Sequence, residues 1–258
     1  MTSRLLMPWR GAEVRPGAAA GGGGSTRATA ILDWEQPLVA ALVERVRREA
    51  GPGAEARAAL RVAHGIIARE VRPVYSVEDR HPASRTLRLG RGSCSQRMAV
   101  LESVARAMGV RTRVRGLLVD GAFWYPRFPR LKALVPEHVL LAWPEFLLER
   151  EQEREWVPVG ELFEGVAAAG AFTNKGGETL FDAVARVGVD WSGSVSCGAQ
   201  GGTACDLSAQ VLVDLGFFDS RDELFESRGQ TLCRPARTLA EPVLGRWSAG
   251  ARATGTRA

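Results

Sequence analysis

The spacing of apolar residues divides the chain into a helical part, a strand-rich part and a second helical part. Apolar side chains recur at three- and four-residue steps over residues 37–50, which predicts a first helix beginning at a proline. The same spacing over 54–71 predicts a second helix, which an Arg-Pro pair ends. A third apolar stripe over 95–108, followed by a glycine, predicts a third helix.

After this third helix the spacing changes to two residues, which is typical of strands. Arginines alternate with smaller residues over 111–115, and the run continues as an apolar stretch to residue 119. Residues 139–148 and 156–159 predict further, antiparallel strands, and 179–187 and 207–215 predict later helices. Helices, then strands, then helices again predict an α+β fold class rather than repeated βαβ units.

The two ends of the chain differ from this patterned region. Residues 1–27 contain a run of glycine and alanine that cannot bury enough apolar surface, which predicts a disordered tail. Residues 248–258 predict a frayed tail. Between them we expect one domain, with a core over 28–165 and a helical extension over 166–247.

Composition narrows the class of protein without identifying it. The 258 residues carry a net charge of +5, but the arginines alternate with acidic residues, as over 44–49, which favours a mixed solvated surface over a nucleic-acid site. No stretch approaches ~18 uninterrupted apolar residues, and four cysteines are too few for a disulfide framework. We therefore expect a cytoplasmic protein with no membrane or nucleic-acid partner. The abundance of Ala, Gly and Arg indicates a bacterial gene, and the oligomeric state stays open.

Cys94 is the sharpest candidate for chemistry. Gly92-Ser93-Cys94 opens the third helix, where unpaired backbone N–H groups lower a thiol's pKa and can bind an oxyanion. We therefore expect a thiol more acidic than a free cysteine. The alternative is a small buried cysteine in a tight loop.

The residues around Cys94 resemble a known family. The stretches 85–96 and 101–113, with their Gly-x-Cys helix, Ala-Arg-Ala segment and closing Gly-Val-Arg-Thr-Arg, are similar to the transglutaminase-like superfamily. The resemblance covers residues 60–160. It implies a papain/transglutaminase-like core, in which the cysteine-bearing helix packs on an antiparallel sheet. It also implies a triad with a histidine and an acid on two adjacent strands.

This sequence departs from the family's pattern at the two positions that would hold the partners of the thiol. The family's histidine and acid positions fall on Leu141 and Gly160. His138 lies three residues away, on the opposite face of a regular strand, so a bulge would be needed to aim it at the cysteine. Without a bulge His138 has no catalytic role. Glu161 is the candidate acid beside the vacated position.

Further residues are candidates for binding the substrate. They are Gly92, Ser93, Trp124, Tyr125 and Trp143. Cys197, Cys205 and Cys233 lack the paired spacing of a zinc site, so we expect no metal and no cofactor.

The function implied by the resemblance is acyl transfer by Cys94 on an amide or thioester. The substrate would be a peptide, an amide or a carrier-bound acyl group. The reaction would be either hydrolysis or amide formation, in a bacterial specialised pathway. The alternative is a domain that keeps the fold, lacks the triad and binds a peptide or protein. The position of His138 relative to Cys94 distinguishes them.

Overall fold

The computed structural model describes residues 22–150, 153–163, 172–193 and 205–250. The helices are α1 (Pro37–Ala50), α2 (Ala56–Glu70), α3 (Ala83–Leu89), α4 (Cys94–Ala107), α5 (Leu180–Ala183), α6 (Arg221–Arg228) and α7 (Arg234–Leu244). The strands are β1 (Arg72–Pro73), β2 (Arg91–Gly92), β3 (Thr112–Asp120), β4 (His138–Arg150), β5 (Glu153–Pro158), β6 (Val189–Asp190), β7 (Cys205–Asp206) and β8 (Val211–Phe218).

The centre of the molecule is a four-stranded antiparallel sheet in the order β5-β4-β3-β8, on which α4 packs. The helices α1, α2 and α3 pack around α4, and their apolar stripes join the sheet residues in one large core. The predicted α+β fold class, with a cysteine-bearing helix on an antiparallel sheet, is confirmed.

The predicted helix over 207–215 is wrong. Residues Val211–Phe218 form β8, which pairs with the free edge of β3 and completes the sheet. An unpaired strand edge leaves backbone N–H and C=O groups without partners, and β8 supplies them. The predicted helix over 179–187 is confirmed only as the short α5. The segment expected to be a helical extension therefore contributes a strand to the central sheet.

Residues near both ends of the chain that were expected in the tails pair with the domain. Ser25 bridges to Thr112 of β3, and the Gly24 N–H donates to Asp219, so the expected tail over 1–27 is wrong for residues 22–27. At the other end, Ser248 bridges to Val74, and Ala249 is buried. Residues 1–21 and 251–258 lie outside the described residues.

A buried ion pair joins α4 to α6. Arg221 Nε lies 2.5 Å from Glu102 Oε1, and neither side chain is exposed to solvent. Arg221 also donates to Ser95 Oγ at 2.9 Å and to the Ala142 carbonyl at 3.2 Å. Removing one member of such a pair leaves an uncompensated buried charge, whose cost exceeds the net benefit of the pair.

We expect Glu102→Gln to lower the free energy of unfolding by about 3–5 kcal/mol, measured by urea denaturation. The matched control is Glu44→Gln, which breaks the exposed pair with Arg47 and should cost less than about 1 kcal/mol. Replacing both members of the buried pair, with Glu102→Leu and Arg221→Met, should recover much of the loss. If Glu102→Gln and Glu44→Gln had the same free energy of unfolding, this account would be contradicted.

Candidate functional site

The N-terminus of α4 is held in place by a capping box. Ser93 is the N-cap, and its Oγ accepts the Gln96 N–H while Gln96 Oε1 accepts the Ser93 N–H at 3.0 Å. Gly92 precedes it in β2, and a Cβ there would lie 2.8 Å from Thr86 Cγ2. Only glycine therefore fits this position, and Cys94 becomes the first residue of the helix.

Cys94 is half-buried and lines a cavity of about 340 Å³. The wall is mainly apolar, with side chains that include Tyr75, Trp124, Phe128, Val135, Val139, Leu140, Leu141, Leu180, Leu232 and Trp247. Its polar side chains are Ser76, Asp79, Ser93, Ser95, Arg127, Asn174, Thr179 and Thr231. The cavity thus joins the start of α4 to the start of β4 and to the C-terminal segment.

The expected acidity of the Cys94 thiol is wrong. Burial raises its pKa to about 11, although Arg97, Arg127 and a backbone hydrogen bond at Phe181 act in the opposite direction. Asp182 raises it further. Desolvation therefore outweighs the nearby arginine charges and the hydrogen bond, and the thiol stays protonated at neutral pH.

The bulge that would aim His138 at Cys94 is absent. The pairing of β3 with β4 runs without a register shift from Asp120 opposite His138 to Thr112 opposite Phe146. In such a strand, residues 138 and 141 point to opposite faces. Leu141 lines the cavity, and no histidine does so in the part of the chain that the structure describes.

The two other histidines are also placed away from the cavity. The His64 ring is buried in α2 and stacks on Phe181 with ring centroids 4.2 Å apart, so it is a core histidine. Burial lowers its pKa to about 4. His81 contacts Gln96, with its Nδ1 3.2 Å from the amide nitrogen.

No acid occupies the position after β5. Gly160 is buried in the short 3₁₀ helix Val159–Glu161, and a Cβ there would overlap the Val189 carbonyl oxygen. A carboxylate side chain therefore cannot stand at this position. Glu161 itself is exposed, and its backbone carbonyl accepts from Arg57 of α2. It does not line the cavity.

The five residues expected to bind substrate separate into two groups. Ser93 and Trp124 line the cavity. Gly92, Tyr125 and Trp143 do not line it. Gly92 packs against Thr86, and Trp143 is buried against Trp191. The Tyr125 ring faces the Lys132 ammonium. These three positions support the fold around the site.

Sequence reasoning missed Asp79 and Arg127, the two charged residues of the wall. Burial raises the pKa of Asp79 to about 6, despite a hydrogen bond to Ser95 and the charge of Arg221. Both residues lie in segments without helix or strand periodicity, so their spacing carried no signal. Only the folded chain brings them to the same cavity as Cys94.

Comparison with known proteins agrees with this geometry. A model of the transglutaminase-like superfamily matches residues 40–160, which contain α2, α3, α4, β3, β4 and β5. This part of the chain is similar to the transglutaminase-like superfamily. No curated protein and no solved structure matches the chain significantly.

Metal-binding clusters and membrane-spanning helices are both absent from the described residues. No group of three or more His, Cys, Asp or Glu residues there is arranged to hold a metal ion. None of the helices in that part of the chain has the length and apolar content to span a membrane. Cys197 lies outside the described residues, and Cys233 is a free thiol at the start of α7.

We expect Cys94 to react with iodoacetamide at pH 7 at least roughly tenfold more slowly than N-acetylcysteine. A pKa of about 11 lowers the thiolate fraction by over a hundredfold, and the greater nucleophilicity of a more basic thiolate offsets part of that loss. Peptide mapping after timed alkylation measures the rate, with Cys94→Ser identifying the peptide. Labelling faster than that of the free thiol would contradict the raised pKa.

Asp79 should make the stability depend on pH. Its folded pKa is raised above the unfolded value, so its contribution is fully present below about pH 4 and is lost as the pH rises through about 6. We expect the free energy of unfolding of Asp79→Asn, relative to that of the native protein, to rise by about 2 kcal/mol as the pH increases from 4.5 to 7.5. Urea unfolding at both pH values measures this difference. A difference that does not change with pH would exclude this titration.

Proposed function

We propose that this transglutaminase-like domain is a binding module that holds a small apolar ligand in the Cys94 cavity. The observation that carries the proposal is the wall beside Cys94, where Leu141 stands at the position that the family resemblance gives to histidine. An apolar side chain there adds contact area for a ligand and removes the group that would accept the thiol proton.

The size and the opening of the cavity support a small ligand. About 340 Å³ lies at the lower end of the ~300–1,000 Å³ typical of small-molecule sites. Leu131, Leu134 and Trp247 belong to the wall yet are 39%, 64% and 46% exposed. Large apolar side chains at the mouth of an apolar cavity are typical of a binding site rather than of an inert surface.

The state of the thiol supports binding over catalysis. A cysteine nucleophile needs to be ionised or to have a base that removes its proton. Cys94 has a pKa of about 11, and the cavity wall in the described residues has no histidine. Gly160 has no room for the acid that would orient such a base.

The second candidate is acyl transfer by Cys94, the reaction typical of the superfamily. The observation that favours it is the place of Cys94 at the first turn of α4, facing a cavity, where backbone N–H groups can bind an oxyanion. This reaction needs a group to accept the thiol proton. In the described wall the only carboxyl is that of Asp79.

Binding is tested with Nile red, a neutral apolar dye, in a fluorescence titration with 1-octanol as competitor. We expect Val139→Phe, which fills the cavity, to weaken binding at least tenfold, because the larger side chain occupies the ligand's volume. The matched control is Leu212→Phe on β8, which is exposed, does not line the cavity and should bind like the native protein. Cys94→Ser should also bind normally.

The same proteins distinguish binding from catalysis. Incubation with the octanoyl thioester of N-acetylcysteamine should give no acyl adduct on Cys94 by intact mass and no hydrolysis beyond that of Cys94→Ser. An adduct or turnover that disappears in Cys94→Ser would establish acyl transfer instead. Equal dye binding by the native protein and Val139→Phe would refute the binding module.

A further inference from the structure

Arg127 places a positive charge in a mainly apolar wall. Its Nε donates to the Asn174 side-chain oxygen, Nη1 to the Ala249 carbonyl at 2.8 Å, and Nη2 to the Glu178 carbonyl. All three acceptors are neutral oxygens. These bonds orient the guanidinium and, among the described residues, leave two of its five N–H donors without a partner.

The carboxylates of Glu178 and Asp182 are engaged with other arginines. The Glu178 side chain binds Arg186, and Asp182 binds Arg97 at 2.8 Å. Within the described parts of the chain, Arg127 therefore has no carboxylate partner. Its positive charge nevertheless reaches the cavity, because it lowers the pKa of the Cys94 thiol.

Asp79, the other charged residue of the described wall, has different partners. Its carboxyl bonds Ser95 and responds to the charges of Arg221, Arg237 and Glu78 rather than to Arg127. The Asp79 N–H donates to Gln230 at 2.8 Å. In the described wall Arg127 and Asp79 therefore have different partners, and most of the other lining side chains are apolar.

A half-buried guanidinium without an anion loses hydration that neutral oxygens only partly replace. Its planar donors match a carboxylate, which can accept two parallel hydrogen bonds. A carboxylate entering this cavity would therefore gain a hydrogen bond between two charged groups, whereas an alcohol of equal length would gain a weaker bond in which only the guanidinium is charged.

We infer that the ligand is an apolar monocarboxylate, whose carboxylate binds Arg127 and whose hydrocarbon part lies against Val135, Leu140 and Leu180. This inference rests on the proposed binding function and specifies its ligand class. It assigns to Arg127 the selection of the head group, while the apolar wall supplies contact that does not depend on charge.

The test compares three head groups on one hydrocarbon chain at pH 8. Octanoate, 1-octanol and octyltrimethylammonium are each titrated against Nile red bound to the native protein. We expect octanoate to bind at least tenfold more tightly than 1-octanol, and octyltrimethylammonium to bind most weakly. Arg127→Gln should abolish the preference for octanoate over 1-octanol, because it weakens octanoate far more than 1-octanol.

The matched control is Arg130→Gln, three residues further along the chain, which is exposed and outside the cavity wall and should keep the preference. Arg127→Lys retains the positive charge and should retain part of the preference for octanoate. This variant takes the place of Arg127→Gln in the test if the glutamine variant does not fold. If octanoate and 1-octanol bind equally, the inference is overturned while the binding function stands. If no compound displaces the dye, the proposed function itself fails. Loss of the preference in Arg130→Gln would also overturn the assignment to Arg127.

Discussion

The polar side chains of α4 need partners inside the protein, because eleven of its fourteen residues are buried. Arg97 reaches Asp182 and the Ala68 carbonyl, so it connects α4 to α5 and α2. Arg106 donates to Thr112 of β3 and to the Arg27 carbonyl, and Glu102 binds Arg221. Buried charges are costly unless such partners are present. The position of α4, and with it that of Cys94, therefore depends on elements from both ends of the chain.

The same burial determines the chemistry of Cys94. A helix N-terminus favours the thiolate, but that effect is modest and short in range. Removal of water disfavours the charged form more strongly, so the pKa rises. An ionised cysteine at this place would need a further stabilising group, such as an imidazolium. The described cavity wall has Leu141 where the family resemblance expects that group, which is why binding is the function that the geometry supports best.

The cavity is completed by segments that are distant in sequence. Trp247 and Ala249 belong to its wall, and the Ala249 carbonyl helps to orient Arg127. The C-terminal segment docks because Ser248 pairs with Val74 and the Ala249 N–H donates to Pro73. A ligand in this cavity would therefore contact the superfamily domain and the residues that follow it together.

Local spacing in the sequence determined α1, α2, α4, β3 and β4, because each has a long apolar stripe of period 3.6 or 2. The Gly-Ser-Cys turn likewise placed Cys94 at the start of its helix, through a cap that involves only neighbouring residues. The tertiary structure alone decided that Val211–Phe218 is a strand, since its partner β3 lies about a hundred residues away along the chain. It also decided the pKa of Cys94 and the meeting of Asp79 and Arg127 at one cavity. Burial and charge proximity are sums over residues distant in sequence, so no local pattern contains them.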